Sequence, residues 1–292
     1  MSLQRLIHSA DGTLLAPLRI GGFLLVTFVA VVVLSGLADT LQLYSRLMGP
    51  LVSSWVILIA LCVAHVVMLR VVEKREWSSV GLGRNDARAV PLLNGALLGA
   101  LAIGVPSVIL LGAGWLEPVE AAGSAIDWWR FAAWMVLFLA PAALWEELAF
   151  RGYIFDVLRR ELGAAVALGS TSILFGIVHW NNPGAGLRPL ILVSLAGVFL
   201  GAVVLATKSV YAAWTAHFAW NWVMAALLHA DVSGFLPSAP PEYRVMDSGP
   251  DWLTGGSWGP EGGVAAGVGM VAGLGFLYAR FRRTAERGYP KK

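Results

Sequence analysis

Three polar clusters sit in stretches of the chain that are otherwise apolar: Glu146-Glu147-x-x-x-Arg151, Phe175-x-x-x-His179 and His217-x-x-x-Asn221. From Phe131 to Leu144, just before the two glutamates, there is no charge at all. An ionisable side chain near the bilayer centre costs about 2.5–3.5 kcal/mol by insertion scales unless it is paired or hydrated. Two side by side mark a polar cavity rather than a packing position. The residue types suggest water activation there. A poorly solvated carboxylate holds its proton more tightly, and a nearby histidine can tune it. Glu146 with His179 can deprotonate a water directly, or hold a metal that makes its bound water acidic. His217 and Asn221 can donate the hydrogen bonds that stabilise a tetrahedral oxyanion.

Spacing separates the roles. Residues four apart share a helix face, whereas adjacent ones diverge by about 100°. Glu147 and Arg151 can therefore pair, which leaves Glu146 to face the cavity. On this spacing Glu146 is the catalytic carboxylate and Glu147 its support; the reverse assignment is the alternative. His217 and Asn221 project together. Phe175, one turn before His179, can wall the site. His65 and His229 lack partner motifs and read as hydrogen-bonded core residues, and the single cysteine, Cys62, as a small buried apolar side chain.

The elements that must position these residues are membrane helices. The chain has 292 residues, of which 58% are hydrophobic and only 13% charged, against about 25% charged in a soluble domain. Eight apolar segments are long enough to span, near 20–38, 52–72, 90–115, 130–155, 166–182, 189–206, 209–229 and 262–280. The first reads as an uncleaved transmembrane helix rather than a signal peptide. Arg70, Lys74, Arg75, Arg84, Arg88, Arg159, Arg160 and Lys208 lie in alternate connections, and the tail is basic. The intervening connections hold Glu117, Glu120, Asp127, Asp231, Asp247, Asp251 and Glu261. By the positive-inside rule both termini are cytoplasmic, with Arg188 as a mild dissent. The net charge of +3 belongs to this asymmetry and implies no nucleic-acid partner. In the last segment, Gly263-x-x-x-Gly267 and Gly269-x-x-x-Gly273 favour close helix packing, more simply within the chain than between chains.

The three clusters, in this order and on the fourth, fifth and seventh segments, resemble the CPBP family of intramembrane proteases. Its name stands for CAAX proteases and bacteriocin-processing enzymes; it is also called Abi and includes the type II CAAX prenyl endopeptidases. The family pattern is Glu-Glu-x-x-x-Arg, then Phe-x-x-x-His, then His-x-x-x-Asn or Asp, and every position is matched here. The glycine-rich run from Gly255 to Gly263 also resembles bacterial members, and the resemblance extends over about residues 70–280. It implies a bundle of about eight helices with a polar catalytic cavity open to the cytoplasmic side. Glu146 and His179 would activate water, and His217 with Asn221 would form the oxyanion site. A divalent metal such as zinc could be held by Glu146, His179 and His217, with water as a fourth ligand.

The expectation is thus an all-α polytopic bundle over 1–292 as a single integral-membrane domain, with the catalytic helices in 130–229. It is a multi-pass protein, expected in a bacterial inner membrane. Its partners are membrane lipid and a protein or peptide substrate, lipidated or not. Its activity is hydrolysis of a peptide bond by glutamate- and histidine-activated water, with Glu146, Glu147, Arg151, His179, His217 and Asn221 as the site. A non-catalytic scaffold or immunity protein and a proton-coupled transporter are the competing readings. The inverted repeats and paired broken helices common in transporters are not seen. Nor are His-Glu-x-x-His, Gly-x-Ser-Gly or Gly-x-Gly-Asp, the motifs of other intramembrane proteases.

Depth is the difficulty. A helix starting near Gly163 places His179 about 24 Å along it, too far from the cytoplasmic end to meet Glu146. If the fourth helix stays in the membrane to Phe155 and the fifth enters near Gly169, both lie about 14–15 Å deep. Arg151 is then buried and paired with Glu147, and Pro141 bends the fourth helix.

Overall fold

The computed structural model describes residues 14–45, 48–120, 123–235 and 243–287. The first polar residues, Pro237, Pro240, Pro241 and Glu242 of the long loop, and Lys291 and Lys292 lie outside them. Each of the eight apolar segments forms a helix, and the chain is an integral membrane bundle. In order these are α1 (Ala16–Thr40), α2 (Gly49–His65), α3 (Ala89–Gly112), α4 (Ala125–Arg151), the shorter α5 (Tyr153–Leu162), α6 (Ala164–Val178), α7 (Leu187–Thr207), α8 (Val210–Trp222), the single turn α9 (Asp251–Thr254) and α10 (Val264–Arg287). Segments Val66–Val72 and Val223–Leu227 extend α2 and α8 as wider π turns. By length and composition, five described spans can cross a membrane: α1, α2 with its extension, α3, α4 with α5, and α7. Apolar side chains on α1 such as Leu25, Phe28 and Val33 are exposed, as lipid requires.

The all-α expectation needs one correction. Leu116–Glu120 (β1) and Tyr243–Asp247 (β2) pair antiparallel, Leu116 opposite Asp247 and Glu120 opposite Tyr243. Both belong to acidic connections, which this small sheet clips together. In a two-stranded ribbon each strand is an edge, so Pro118 with its missing N–H is tolerated.

The fourth segment holds a further break. Pro141 lies inside α4, which runs on to Arg151, and the chain breaks at Gly152. A Cβ at Gly152 would run into the His65 ring. The His65 Nδ1–H donates to the Leu61 carbonyl (2.8 Å), and Nε2 accepts the Tyr153 backbone N–H (3.1 Å). The imidazole thus takes up a backbone donor freed by the break, and His65 is the core residue its sequence context suggested. The chain then continues as α5 and turns at Gly163, and α6 starts at Ala164, close to the expected Gly163. Glu146 and His179 lie almost equally far along the two arms of this hairpin, about 25 Å of helix each. The helix α5 lengthens the first arm so that the two residues come level with each other.

α5 is anchored at the end of the bundle that carries the basic connections. Asp156 accepts from Arg75 (2.7 Å), Arg159 (2.8 Å) and Arg160 (3.0 Å). Glu73 accepts from Tyr153 and Arg75, and Arg19 from α1 reaches both Glu73 and Glu161. Burial alone would raise Glu73. The hydrogen bonds from Tyr153 and Arg75 and the charge of Arg160 outweigh it and hold the carboxyl below its ordinary 4.5.

Two interfaces fix α8. The indole N–H groups of Trp214, Trp222 and Trp128 donate across the antiparallel α4–α8 contact, to Ala140 (2.8 Å), Ala132 (3.2 Å) and Ala226 (3.0 Å) carbonyls. On its other side α8 runs parallel to α3, so closely that a Cβ at Gly99 would overlap the Ala216 carbonyl. The glycines of α10 pack within the chain, Gly269 against Ala102 of α3 and Gly273 against Phe199 of α7.

Two outcomes are expected for purified protein in detergent. Gly99→Ala lowers the thermal unfolding temperature, whereas Gly275→Ala, at a position with open space around it, does not. Glu73→Gln destabilises by about 1–2 kcal/mol at neutral pH, the worth of charge-assisted hydrogen bonds. A depressed carboxyl contributes its stability above 4.5 and loses it as pH falls through the lower folded value. The gap between Glu73→Gln and the parent protein should therefore close in acid; a gap unchanged well below pH 4.5 would contradict the assignment.

Candidate active site

Glu146, His179, His217 and Asn221 line one cavity of about 560 Å3 together with Phe175. Four helices bring them there: α4 carries Glu146, the end of α6 carries His179, α8 carries His217 and Asn221, and α7 supplies an apolar wall of Val193, Ala196 and Leu200. Glu147 and Arg151 lie behind this surface and do not line it.

The two glutamates occupy different environments. The Glu147 side chain is fully buried, and its Oε1 accepts from two donors, Arg151 Nη1 at 3.2 Å and His217 Nδ1 at 2.9 Å. Arg151 is 1% exposed. Its second terminal nitrogen donates to the Gly197 carbonyl of α7 (3.2 Å), and its guanidinium lies 4.3 Å from the Phe175 ring centre. The Glu146 side chain is 19% exposed. Its Oε2 has no hydrogen-bond partner in the protein and lies 3.9 Å from His217 Nε2.

This geometry redistributes the expected partners. The Glu147–Arg151 pair follows from i,i+4 spacing. The bond from His217 to Glu147 does not, because it crosses from α8 to α4. It fixes the imidazole with Nδ1–H toward the buried carboxylate and Nε2 toward Glu146, the way an outer carboxylate orients a working histidine. His179 caps the end of α6, and its Nδ1 donates to the Phe175 carbonyl at 2.7 Å. That leaves its Nε2 as the open nitrogen. Phe175 packs edge-on to both rings, 4.9 Å from His179 and 5.9 Å from His217.

Glu146, His179 and His217 have the donor types of a zinc site. Among the described residues, however, no three His, Cys, Asp or Glu side chains are gathered so as to hold a metal ion. As placed, these side chains do not form a three-ligand centre.

Sequence reasoning counted Glu261 among the acids of a long loop. The structure places it on the cavity wall, 7% exposed. It accepts from Trp220 Nε1 (3.0 Å) and from the Ser233 N–H and hydroxyl (2.7 Å each). Asn182 completes the set, donating to the Ser233 carbonyl at 3.0 Å, and Arg188 donates to the Gly262 carbonyl at 3.1 Å. The sequence signal was Pro260-Glu261-Gly262-Gly263, an acid embedded in a segment that must pack tightly.

Residues 128–223 match the family model described as Type II CAAX prenyl endopeptidase Rce1-like. The matched stretch contains all three motifs, which supports the CPBP resemblance drawn from them. No curated protein and no solved structure matches the chain.

Removing one member of a buried ion pair leaves the other charge uncompensated and costs about 3–5 kcal/mol. Arg151→Met should lose about that much, and Arg151→Lys should recover only part, since an ammonium cannot bridge Glu147 and Gly197 as a planar fork does. Glu147→Gln combined with Arg151→Met should cost less than the two single changes added together. Thermal unfolding of the four variants in detergent tests this, and strict additivity would contradict the shared pair.

Proposed function

We propose that the protein is an intramembrane endopeptidase that hydrolyses a peptide bond of a membrane-associated or lipidated polypeptide, using water activated by Glu146 and histidine. The observation that carries this reading is the convergence of Glu146, His179, His217 and Asn221 on one cavity, with Glu147 and Arg151 held behind it. A site that only packed helices would have no reason to gather a carboxylate, two imidazoles and an amide around one cavity.

The water sits beside Glu146 in the part of the cavity lined by the polar side chains of His179, His217 and Asn221. Glu146 takes its proton as the water oxygen bonds to the carbonyl carbon. The negative charge moves to the carbonyl oxygen. Asn221 donates to that oxyanion through its side-chain amide, and His217 through Nε2–H. Glu146 and Glu147 together outweigh the single charge of Arg151, and a doubly protonated His217 balances the cluster. The carbon–nitrogen bond then breaks, and the proton held by Glu146 passes to the leaving amine. His179, with Nδ1 committed to Phe175, keeps Nε2 as an acceptor that orients the water. The apolar lining from Phe138, Leu139, Val193 and Phe199 suits an apolar or lipidated segment and excludes bulk water from the reacting carbonyl.

Cleavage of a reporter peptide in liposomes tests the reading. Glu146→Gln should lower kcat by about 10²–10⁴-fold, the usual worth of a general base. Asn221→Ala should lower it by about 10²-fold or more, as for one oxyanion donor. Proteolysis that survives both Glu146→Ala and His179→Ala removes the mechanism. A chelator should leave the rate unchanged; loss of cleavage restored by added zinc would replace direct water activation with a metal-bound water.

A further inference from the structure

The polar residues around the cavity are tied together in two separate ways. At its closed floor, Glu147 joins α4 to α8 through His217, and the side chains of Glu147 and Arg151 have no exposure. His179 takes no part in that tie. Its Nδ1 donates within α6, to the Phe175 carbonyl, and the helix ends there. The residues that hold His179 level with His217 and Asn221 therefore lie beyond α6.

A chain of hydrogen bonds runs on from His179 along the cavity wall. The Asn182 N–H donates to the His179 carbonyl (3.1 Å), and the Asn182 side-chain amide donates to the Ser233 carbonyl (3.0 Å). Ser233 gives its N–H and its hydroxyl to Glu261 Oε1 (2.7 Å each), and Glu261 Oε2 accepts from Trp220 Nε1 (3.0 Å). Trp220 stands on α8 between His217 and Asn221. All four members of the chain line the cavity. Ser233 is held at φ 50°, a left-handed conformation that a non-glycine residue keeps only where its surroundings fix it. The backbone beside it is equally constrained, since a Cβ at Gly234 would overlap the Pro183 carbonyl oxygen. The donors also dictate the residue type at position 261. Three N–H or O–H groups converge there, and only a carboxylate accepts on both oxygens.

We propose that Glu261 is a positioning residue: by bridging Ser233 and Trp220 it sets where His179 stands relative to His217 and Asn221. The carboxylate acts through these partners and not on the reacting atoms. His179 orients the water while Asn221 and His217 receive the oxyanion, so the two halves of the reaction are carried by different helices. A misplacement of about 1 Å between such groups can cost about 10²-fold in rate. This rests on the endopeptidase reading for the chemistry, but the linkage itself can be measured without any cleavage.

Hydrogen exchange and kinetics test it together. Glu261→Gln sets an amide NH2 against one of the three donors and opens the chain at its centre. In detergent, hydrogen-exchange mass spectrometry should then show faster exchange around Ser233 and also around Asn182, one link further on. Reporter cleavage in liposomes should lose about 10–100-fold in kcat at a temperature where the variant stays folded. Asn182→Ala, which cuts the side-chain link to Ser233, should lower kcat to a similar degree, and it carries the test should Glu261→Gln fail to fold. The double variant should lose little more than the larger single loss, because both changes cut one chain. A residue that only added stability would leave the kcat of the folded protein unchanged. An unchanged kcat, losses that multiply, or exchange that quickens around Ser233 alone overturns the proposal. Faster exchange around Asn182 in Glu261→Gln, with a parent protein that cleaves no reporter, would leave the linkage standing and remove the endopeptidase reading instead.

Discussion

One carboxylate oxygen organises the centre of this bundle. Glu147 Oε1 accepts from Arg151 on its own helix and from His217 on α8. Arg151 carries the connection on, to the Gly197 carbonyl on α7 and the face of Phe175 on α6. Four helices thus meet at a group that lipid would otherwise expel. A buried charge is tolerated only with its partners in place, so the helices cannot shift independently without exposing it. The same bond that holds Glu147 Oε1 turns His217 Nε2 toward Glu146, so one contact serves both the packing of α4 on α8 and the shape of the cavity wall.

Much of this was legible because spacing along one helix is a local property. The Glu147–Arg151 pair, the shared face of His217 and Asn221, and Phe175 one turn before His179 follow from a period of 3.6 residues. The eight apolar segments follow from hydropathy. Contacts between helices are not encoded that way. Nothing in the spacing says that His217 reaches Glu147 from α8, or that His65 receives the Tyr153 N–H at the break after Arg151. The break escaped notice because Pro141 was the obvious breaker, while Gly152 is demanded by a neighbouring helix. The β1–β2 ribbon was hidden in short loop segments, where five residues carry too little pattern to read.

The acidic end explains why α6 and α8 are shorter than the spans around them. α6 ends at Val178 and α8 gives way to a π turn at Val223, and the chain beyond each folds back against the cavity. Irregular backbone at membrane depth persists only where protein or cavity water satisfies its polar groups. Glu261 and Asn182 do this for the strand of loop around Ser233. The connections that follow these helices then form part of the cavity wall, through Asn182, Val232 and Ser233.

The closed floor has an electrical consequence. Where water fills a cavity it conducts, so the potential inside it follows the solution at its mouth. The layer sealed by Glu147 and Arg151 holds no such water, since neither side chain has any exposure. A unit charge crossing the full membrane potential exchanges about 2.3 kcal/mol per 100 mV, and a thin insulating layer concentrates that field on the residues within it. Glu146 and His217 stand at the edge of this layer. A charge left there without its partner would have no water to screen it, so the pair must form and part as a unit.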